Sequence, residues 1–421
     1  MTAAVSVFLE SNPVSVRALG AMERFAWLID QHRPFHFSMA MEVSGATTPG
    51  QWRRALNRVQ KRHPQLSNSI RENQEGWPEF CSDGDRPIPL RVGYGNLESW
   101  ARVIESELGR RFEPHDVPLV RAVLLYEPRK ALLILTFHHA IADGMSAVYI
   151  FRDLLRLLAG EEIADLPMPE SSEEWARRSG IPAPAPPPAH GDAVPLAPNR
   201  FRQEDGRNPL VHAHELPQGL SAAVRARARI ERTTVHGALS AALFLAGREL
   251  SRQWAQNPVR VISPLDLRRR LPIGPECGFL ASAAPAVLDA SQGDSFWDMA
   301  RLATRQIQPA TTPEGVVHGL NFLSTVVSGL DFEQMGSFVL NGLAHEAVLT
   351  NLGEIPYDRT LGHLQVNAIW GPAAAMGIEG EQVLGVASMK GGGICLVHSS
   401  FTPFPGLLQR MESLLAEASA R

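Results

Sequence analysis

An α/β protein in two halves of similar size is what the sequence predicts. Three observations carry that expectation. Apolar, β-prone runs alternate with segments of 3.6-residue period in both halves. A proline-rich stretch divides the chain near its middle. Hydrophobic residues make up 44% of the 421 and charged residues 20%, the balance of a chain able to bury a large core. At about 150 residues per domain, that length allows one to three domains.

Composition also excludes some function classes. The formal charge is −4, too balanced for non-specific nucleic-acid binding. The eight tryptophans are dispersed and build no stacking platform. Cys81, Cys277 and Cys395 lie far apart, with no CxxC pair and no disulfide framework. The opening MTAAVSVFLESNP lacks a basic region and carries Glu10 and Pro13, so no signal peptide is expected. No window approaches the roughly 18 uninterrupted apolar residues of a membrane span. Ala238–Ala246 reads instead as part of a buried helix, and a cytoplasmic location is expected.

Each element follows from a local pattern. Gly20–Gln31 is amphipathic. In Gly50–Arg62, Trp52, Ala55, Leu56 and Val59 fall at i, i+3, i+4 and i+7, and Pro64 ends the helix. Arg53, Arg54 and Arg58 lie off that stripe, as a solvated face or as a docking face for an acidic partner. Leu119–Tyr126 and Ala131–Phe137 form a hairpin around Glu127-Pro128-Arg129-Lys130. Both runs are almost wholly apolar, so both faces of their sheet are covered. After Asp143-Gly144 the period becomes helical through Leu158, with Gly160 at the C-terminal cap position. Ile181–Pro198 holds seven prolines; it can be neither a central strand nor a helix interior and reads as an extended linker. Thr233-Thr234 cap a helix over Val235–Gly247. Val259–Pro264 and Ile394–Val397 read as strands, and Leu407–Ala418 as an amphipathic helix.

The segment that carries chemistry is LLILTFHHAIADGMS. A buried strand runs into His138-His139-Ala140-Ile141-Ala142-Asp143-Gly144 and then into a helix. A strand end is a rigid mount for a catalytic side chain. Histidine takes and returns a proton near neutral pH. Asp143 can brace the turn, and Gly144 permits a positive φ or close approach to the backbone. The bland alternative, a pair of core histidines before an ordinary Asp-Gly turn, stays open on spacing alone.

HHAIADG resembles HHxxxDG, the signature of the acyltransferase superfamily related to chloramphenicol acetyltransferase. That superfamily includes nonribosomal condensation domains, plant BAHD acyltransferases, wax ester synthases and polyketide-associated acyltransferases. LGAMERFAWLID resembles the opening helix of the polyketide-associated branch. TTVHGALSAALFLA resembles the helix opening the family's second half, and SPLDLRRRLP the segment ending in its bracing arginine. The likeness covers nearly the whole chain. No DFGWG occurs near the C-terminus, which separates it from the plant branch.

The resemblance implies two pseudo-symmetric chloramphenicol-acetyltransferase-like lobes, mixed sheets flanked by helices, with an active-site tunnel between them. Residues 1–169 form the first lobe, 170–209 the crossover linker and 210–421 the second lobe. It implies His139 as general base, and His138, Asp143 and Gly144 as supports of the site. Arg268 is the implied partner of Asp143, with the register open to its neighbours Arg269 and Arg270, and Asn351 is a candidate substrate-binding residue. The implied reaction is acyl transfer from acyl-CoA or an acyl carrier protein to a hydroxyl or amine, with no cofactor bound and CoA or phosphopantetheine carried by the donor. A second implied class is a stand-alone module for recruitment, cyclisation or chain release.

Other signals are weaker. Lys390-Gly391-Gly392-Gly393 lacks the order and spacing of a phosphate-binding loop. His212-x-His214-Glu215 lacks a third ligand at zinc spacing, so no metal is expected. His236 lies in an apolar helical run and reads as a core or interface histidine.

Overall fold

The computed structural model describes residues 14–82, 86–113, 116–182, 197–293 and 295–420. Most of the proline-rich linker, residues 183–196, therefore lies outside the described residues.

Two six-stranded mixed sheets, each flanked by helices, organise the chain. In the first, the hairpin forms as its pattern predicts. Val120–Glu127 pairs antiparallel with Lys130–His138, and both strands are buried along nearly their whole length. His36–Ser44 pairs with the other side of Lys130–His138 and sets His36 opposite His138. Helices Pro49–Arg62 and Gly144–Leu158 cover one face, where Trp52, Leu56, Val148, Phe151 and Leu155 meet strand residues such as Met39, Leu133 and Leu135. Burial of each such side chain is worth about 1.5–3 kcal/mol.

Helix Pro49–Arg62 corrects one expectation. Its basic face is partly spent inside the fold. Arg53 donates to the Ile88 carbonyl at 2.6 Å, and Arg58 pairs with Asp165 at 2.6 Å. Arg62 is buried against Asp153 at 2.6 Å. Arg54 and Lys61 remain exposed, so the face offers a docking partner much less charge than the sequence count suggests.

The second sheet runs Ala281–Leu288, Val259–Asp266, Ala347–Glu354, Gln382–Ser388, Ile394–Ser400 and Leu210–Glu215 in spatial order. Val235–Leu250, capped by Thr234, packs on it with Leu407–Ser419. His212 and His214 lie on the edge strand; His212 stands opposite His398, and His214 pairs with Glu412 at 2.6 Å. Among the described residues no cluster of three metal-ligating side chains occurs. The glycine-rich loop at 390–393 joins Gln382–Ser388 to Ile394–Ser400. No helix among the described residues is long and apolar enough to cross a membrane.

The two sheets exchange chain. Leu364–Ala374, which lies beyond most of the second sheet in sequence, pairs antiparallel with His36–Ser44 and completes the first sheet. A third apolar cluster, containing Phe25, Ile29, Ala140, Phe279, Leu320 and Met335, joins helices and loops of both halves. The motif lies at the junction these contacts create.

Candidate active site

The motif strand ends at His138, and His139 is the first residue of the turn that follows. Three hydrogen bonds shape this turn. His138 N–H donates to Leu119 O at 3.0 Å, His139 N–H to Phe35 O at 3.0 Å, and Ile141 N–H to His138 O at 3.1 Å. Sheet and turn thus fix both histidine backbones before any side chain acts.

The two rings adopt opposite tautomers. His139 Nδ1 lies 3.0 Å from Ala142 O. A carbonyl only accepts, so Nδ1 carries the proton and Nε2 holds a lone pair. Nε2 makes no hydrogen bond among the described residues, and the residue is half-buried. His138 is buried. Its Nδ1 accepts from Ala140 N–H at 3.1 Å, so its Nε2 carries the proton and points to Asp30 Oδ2 at 3.5 Å. Asp30 also accepts Phe35 N–H at 2.7 Å. Burial raises the Asp30 carboxyl and the contacts to His138 and Phe35 lower it, for a net downward shift.

Desolvation pushes the His139 imidazole down to about 4, against a smaller upward pull from the Asp143 charge and the bond to Ala142. The ring is therefore neutral throughout the near-neutral range.

Asp143 caps the helix Gly144–Leu158. Its Oδ1 accepts Ser146 N–H at 2.7 Å and lies 2.8 Å from Ser146 Oγ. Its Oδ2 accepts from Arg268 at 2.9 Å and from Leu280 N–H at 3.0 Å. Arg268 also donates to Asp266, Ser146 Oγ and Glu276 O. Burial opposes its charge, but Asp143 and Asp266 outweigh that and raise its pKa. The neighbours go elsewhere: Arg269 donates to Leu352 O and Arg270 to Thr311 O. Two buried, mutually paired charges, with both terminal nitrogens of Arg268 hydrogen-bonded, hold both halves at the turn.

Gly144 is a close-approach position with ordinary helical φ. A Cβ there would stand 2.9 Å from Leu352 Cδ2 and 3.0 Å from Pro372 Cγ. Cys277 donates its thiol to Ile141 O at 3.3 Å, and burial raises its pKa, so it packs beneath the turn as an inert group.

Asn351 is less closely tied to the motif. Its Oδ1 accepts Gly353 N–H at 2.9 Å, as in a local turn. Its side chain helps line a cavity of about 420 Å³ with Arg225, Arg229, Thr234 and Ser388, and His139 is not among the lining residues. Leu352, one position on, packs against Gly144. His236 is half-buried, and its Nε2 lies 2.8 Å from Ser263 Oγ within the second half.

Sequence reasoning missed four contributors. Phe35, Phe37 and Phe279 surround His139, and Ser146 links Asp143, Arg268 and Gly278. Only Ser146 left a signal, as the third residue of a capping box after Asp143.

Comparison with known proteins bears on the fold that carries this turn. The condensation-domain model matches residues 24–180. The model described as phthiocerol/phthiodiolone dimycocerosyl transferase C-terminus matches residues 205–401. Among curated proteins, surfactin synthase subunit 2 of Bacillus subtilis is 31% identical over 132 residues. Those residues are 31% of this chain and 4% of that protein. Phosphinothricin tripeptide synthetase PhsC of Streptomyces viridochromogenes is 28% identical over 162 residues, 36% of this chain and 15% of that protein. The chain thus spans a small fraction of the synthetases it matches.

Among solved structures, polyketide synthase associated protein 5 of Mycobacterium tuberculosis superposes with a TM-score of 0.67 at 19% identity, covering 97% of this chain and 99% of that one. The first condensation domain of the calcium-dependent antibiotic synthetase gives 0.69 at 16% identity, covering 97% of both chains. Those likenesses establish the fold. Over successive parts of its length the chain is thus similar to condensation domains, at residues 24–180, and to the C-terminal part of polyketide-associated acyltransferases, at residues 205–401.

Proposed function

We propose that the protein moves an acyl group from a thioester donor, acyl-CoA or an acyl carrier protein, to a hydroxyl or amine acceptor. The setting is polyketide, nonribosomal peptide or related specialised metabolism. The observation that carries this reading is the state of His139. Its Nδ1–H is tied to Ala142 O, which leaves the Nε2 lone pair without a partner among the described residues, at the junction of the two halves.

The residues act as follows. His139 Nε2 takes the proton of the acceptor as its oxygen or nitrogen attacks the thioester carbonyl. The tetrahedral intermediate collapses, the C–S bond breaks, and the imidazolium returns the proton to the departing thiolate. General-base assistance of this kind is worth about 10²–10⁴ in rate; holding donor and acceptor together adds an entropic contribution of its own. His138, Asp143 and Arg268 keep the turn in place and do not touch the reacting atoms.

The test is His139→Ala assayed by mass spectrometry, with short pantetheine thioesters and a panel of alcohols and amines. A fall of about 10²–10⁴ in turnover by a folded variant supports the reading. Full turnover by that variant removes His139 from the mechanism.

A further inference from the structure

Three phenylalanine rings enclose His139. Phe35 stacks on it at 4.8 Å between centroids and 24° between planes. Phe37 stands at 4.9 Å and 47°, and Phe279 at 4.7 Å and 39°. They come from different places. Phe35 and Phe37 flank His36 at the start of the strand paired with the motif strand. Phe279 comes from the second half, on the loop between Arg268 and Ala281–Leu288.

Each ring is anchored through its own or a neighbouring backbone. Phe35 O accepts His139 N–H, and Phe35 N–H reaches Asp30. Phe279 O accepts from Ser172 Oγ at 2.7 Å, and the next residue, Leu280, donates to Asp143. The enclosure is therefore built into the same bonds that fix the motif.

The carboxylates around it already have partners, either a guanidinium or hydrogen-bond donors. Asp143 is paired with Arg268, which also holds Asp266. Asp30 faces His138, and the Cys277 thiol is buried and neutral. The carboxylate acting on His139 is Asp143. An ammonium brought to Nε2 would shed water beside three apolar rings, where the carboxylates named here are already engaged. Burying an unpaired charge costs several kcal/mol or more. A cation over an aromatic face regains about 0.5–2 kcal/mol, and the near face of Phe35 is covered by the imidazole itself. A neutral hydroxyl meets no such penalty and finds the Nε2 lone pair as its acceptor.

We infer that Phe35, Phe37 and Phe279 are positioning residues that shield His139 from most water and orient it, and that this aromatic enclosure admits an acceptor only in uncharged form. The inference deepens the reading of His139 as base and rests on it for its catalytic meaning.

The test is histidine-resolved NMR on the full chain with ¹⁵N-labelled imidazoles, with His139 assigned by loss of its signals in His139→Gln. Wild type should titrate well below the ordinary histidine range with Nδ1 protonated. Phe279→Ser should raise that midpoint by about one unit, a tenfold change in proton affinity, because water reaches the ring. Phe279→Leu, which keeps the site apolar, should leave it low. Phe35→Ser, at a less buried position, carries the same expectation as Phe279→Ser if the latter does not fold. An unmoved midpoint in the serine variants overturns the enclosure.

The second arm adds hexan-1-ol or hexylammonium to wild type and follows the His139 Nε2 shift. Perturbation by the alcohol alone supports exclusion of charge. Equal perturbation by the ammonium, or none by either, overturns it. Both arms read the ring without turnover, so an active His139→Ala variant would defeat the catalytic reading separately.

Discussion

Arg268 reaches Asp143 across 125 positions of sequence and binds its Oδ2 at 2.9 Å, with both side chains almost fully buried. The same carboxylate caps the helix that follows the motif. One ion pair therefore fixes both the turn carrying His139 and the contact between the two halves.

Arg268→Ala should accordingly cost about 3–5 kcal/mol, because it strands a buried carboxylate. Urea denaturation measures the loss. Asp143→Asn, which keeps the shape and part of the cap, should cost less than Asp143→Ala. The double variant Asp143→Ala/Arg268→Ala should fall short of the sum of its single effects. Additive losses would mean that the two residues do not act as a pair.

The acid limb of kcat/KM should lie near pH 4. The His139 imidazole is held down to about 4 by desolvation, so the base stays unprotonated well below the ordinary histidine value of about 6.5. Rate should rise with pH through that lower value and be flat near neutrality. A limb centred near 6.5, on acceptors that do not themselves titrate, would contradict the desolvated ring.

Folding stability should fall as pH drops from about 6.5 toward 4. Burial lowers His36, His139 and His236 to about 4 and His398 to about 3. In that window the unfolded chain binds the protons that the folded chain refuses, so stability rises with pH and is lost on acidification. Each group contributes up to about 1.4 kcal/mol per pH unit. His345 runs the other way: its contact with Glu381 outweighs burial and raises its pKa, so its contribution is lost as pH rises. Urea midpoints between pH 8 and 5 measure the net slope, and His398→Gln should reduce it.

Gly144→Ala should destabilise by about 1–3 kcal/mol through overpacking, since its Cβ would meet Leu352 and the rigid ring of Pro372. Leu352→Ala in the same chain opens space. The double variant should then be more stable than the two single losses added together, as a double-mutant cycle reads directly.

Much of the first sheet was legible because its signals are local. Asp143-Gly144 after a buried run marks strand, turn and helix start within fifteen residues, and Gly160 does carry a positive φ just beyond the helix. The partner of Asp143 was legible only to within three adjacent arginines. Which one turns inward depends on the short 3-10 turn Leu267–Arg269 and the bond from Asp266 to Arg268 N–H, details that no periodicity encodes. The strand His36–Ser44 escaped notice because HFSMAMEVS mixes alanine, methionine and serine, with few β-branched residues to mark it. Phe279 gave no signal because its meaning depends on a ring 140 positions earlier in the chain. Aromatic contact across halves is a property of the finished packing.

The strand Leu364–Ala374 has a consequence for how the molecule comes into being. It supplies the neighbour of His36–Ser44, so during synthesis the early sheet waits with a bare hydrogen-bonding rim until more than 370 residues have been made. A nascent or truncated chain ending in the linker would present that rim to any other strand, an invitation to aggregation. Severing the protein at its middle therefore yields no self-sufficient front half, and the polypeptide must be all but finished before its histidine turn gains a settled home.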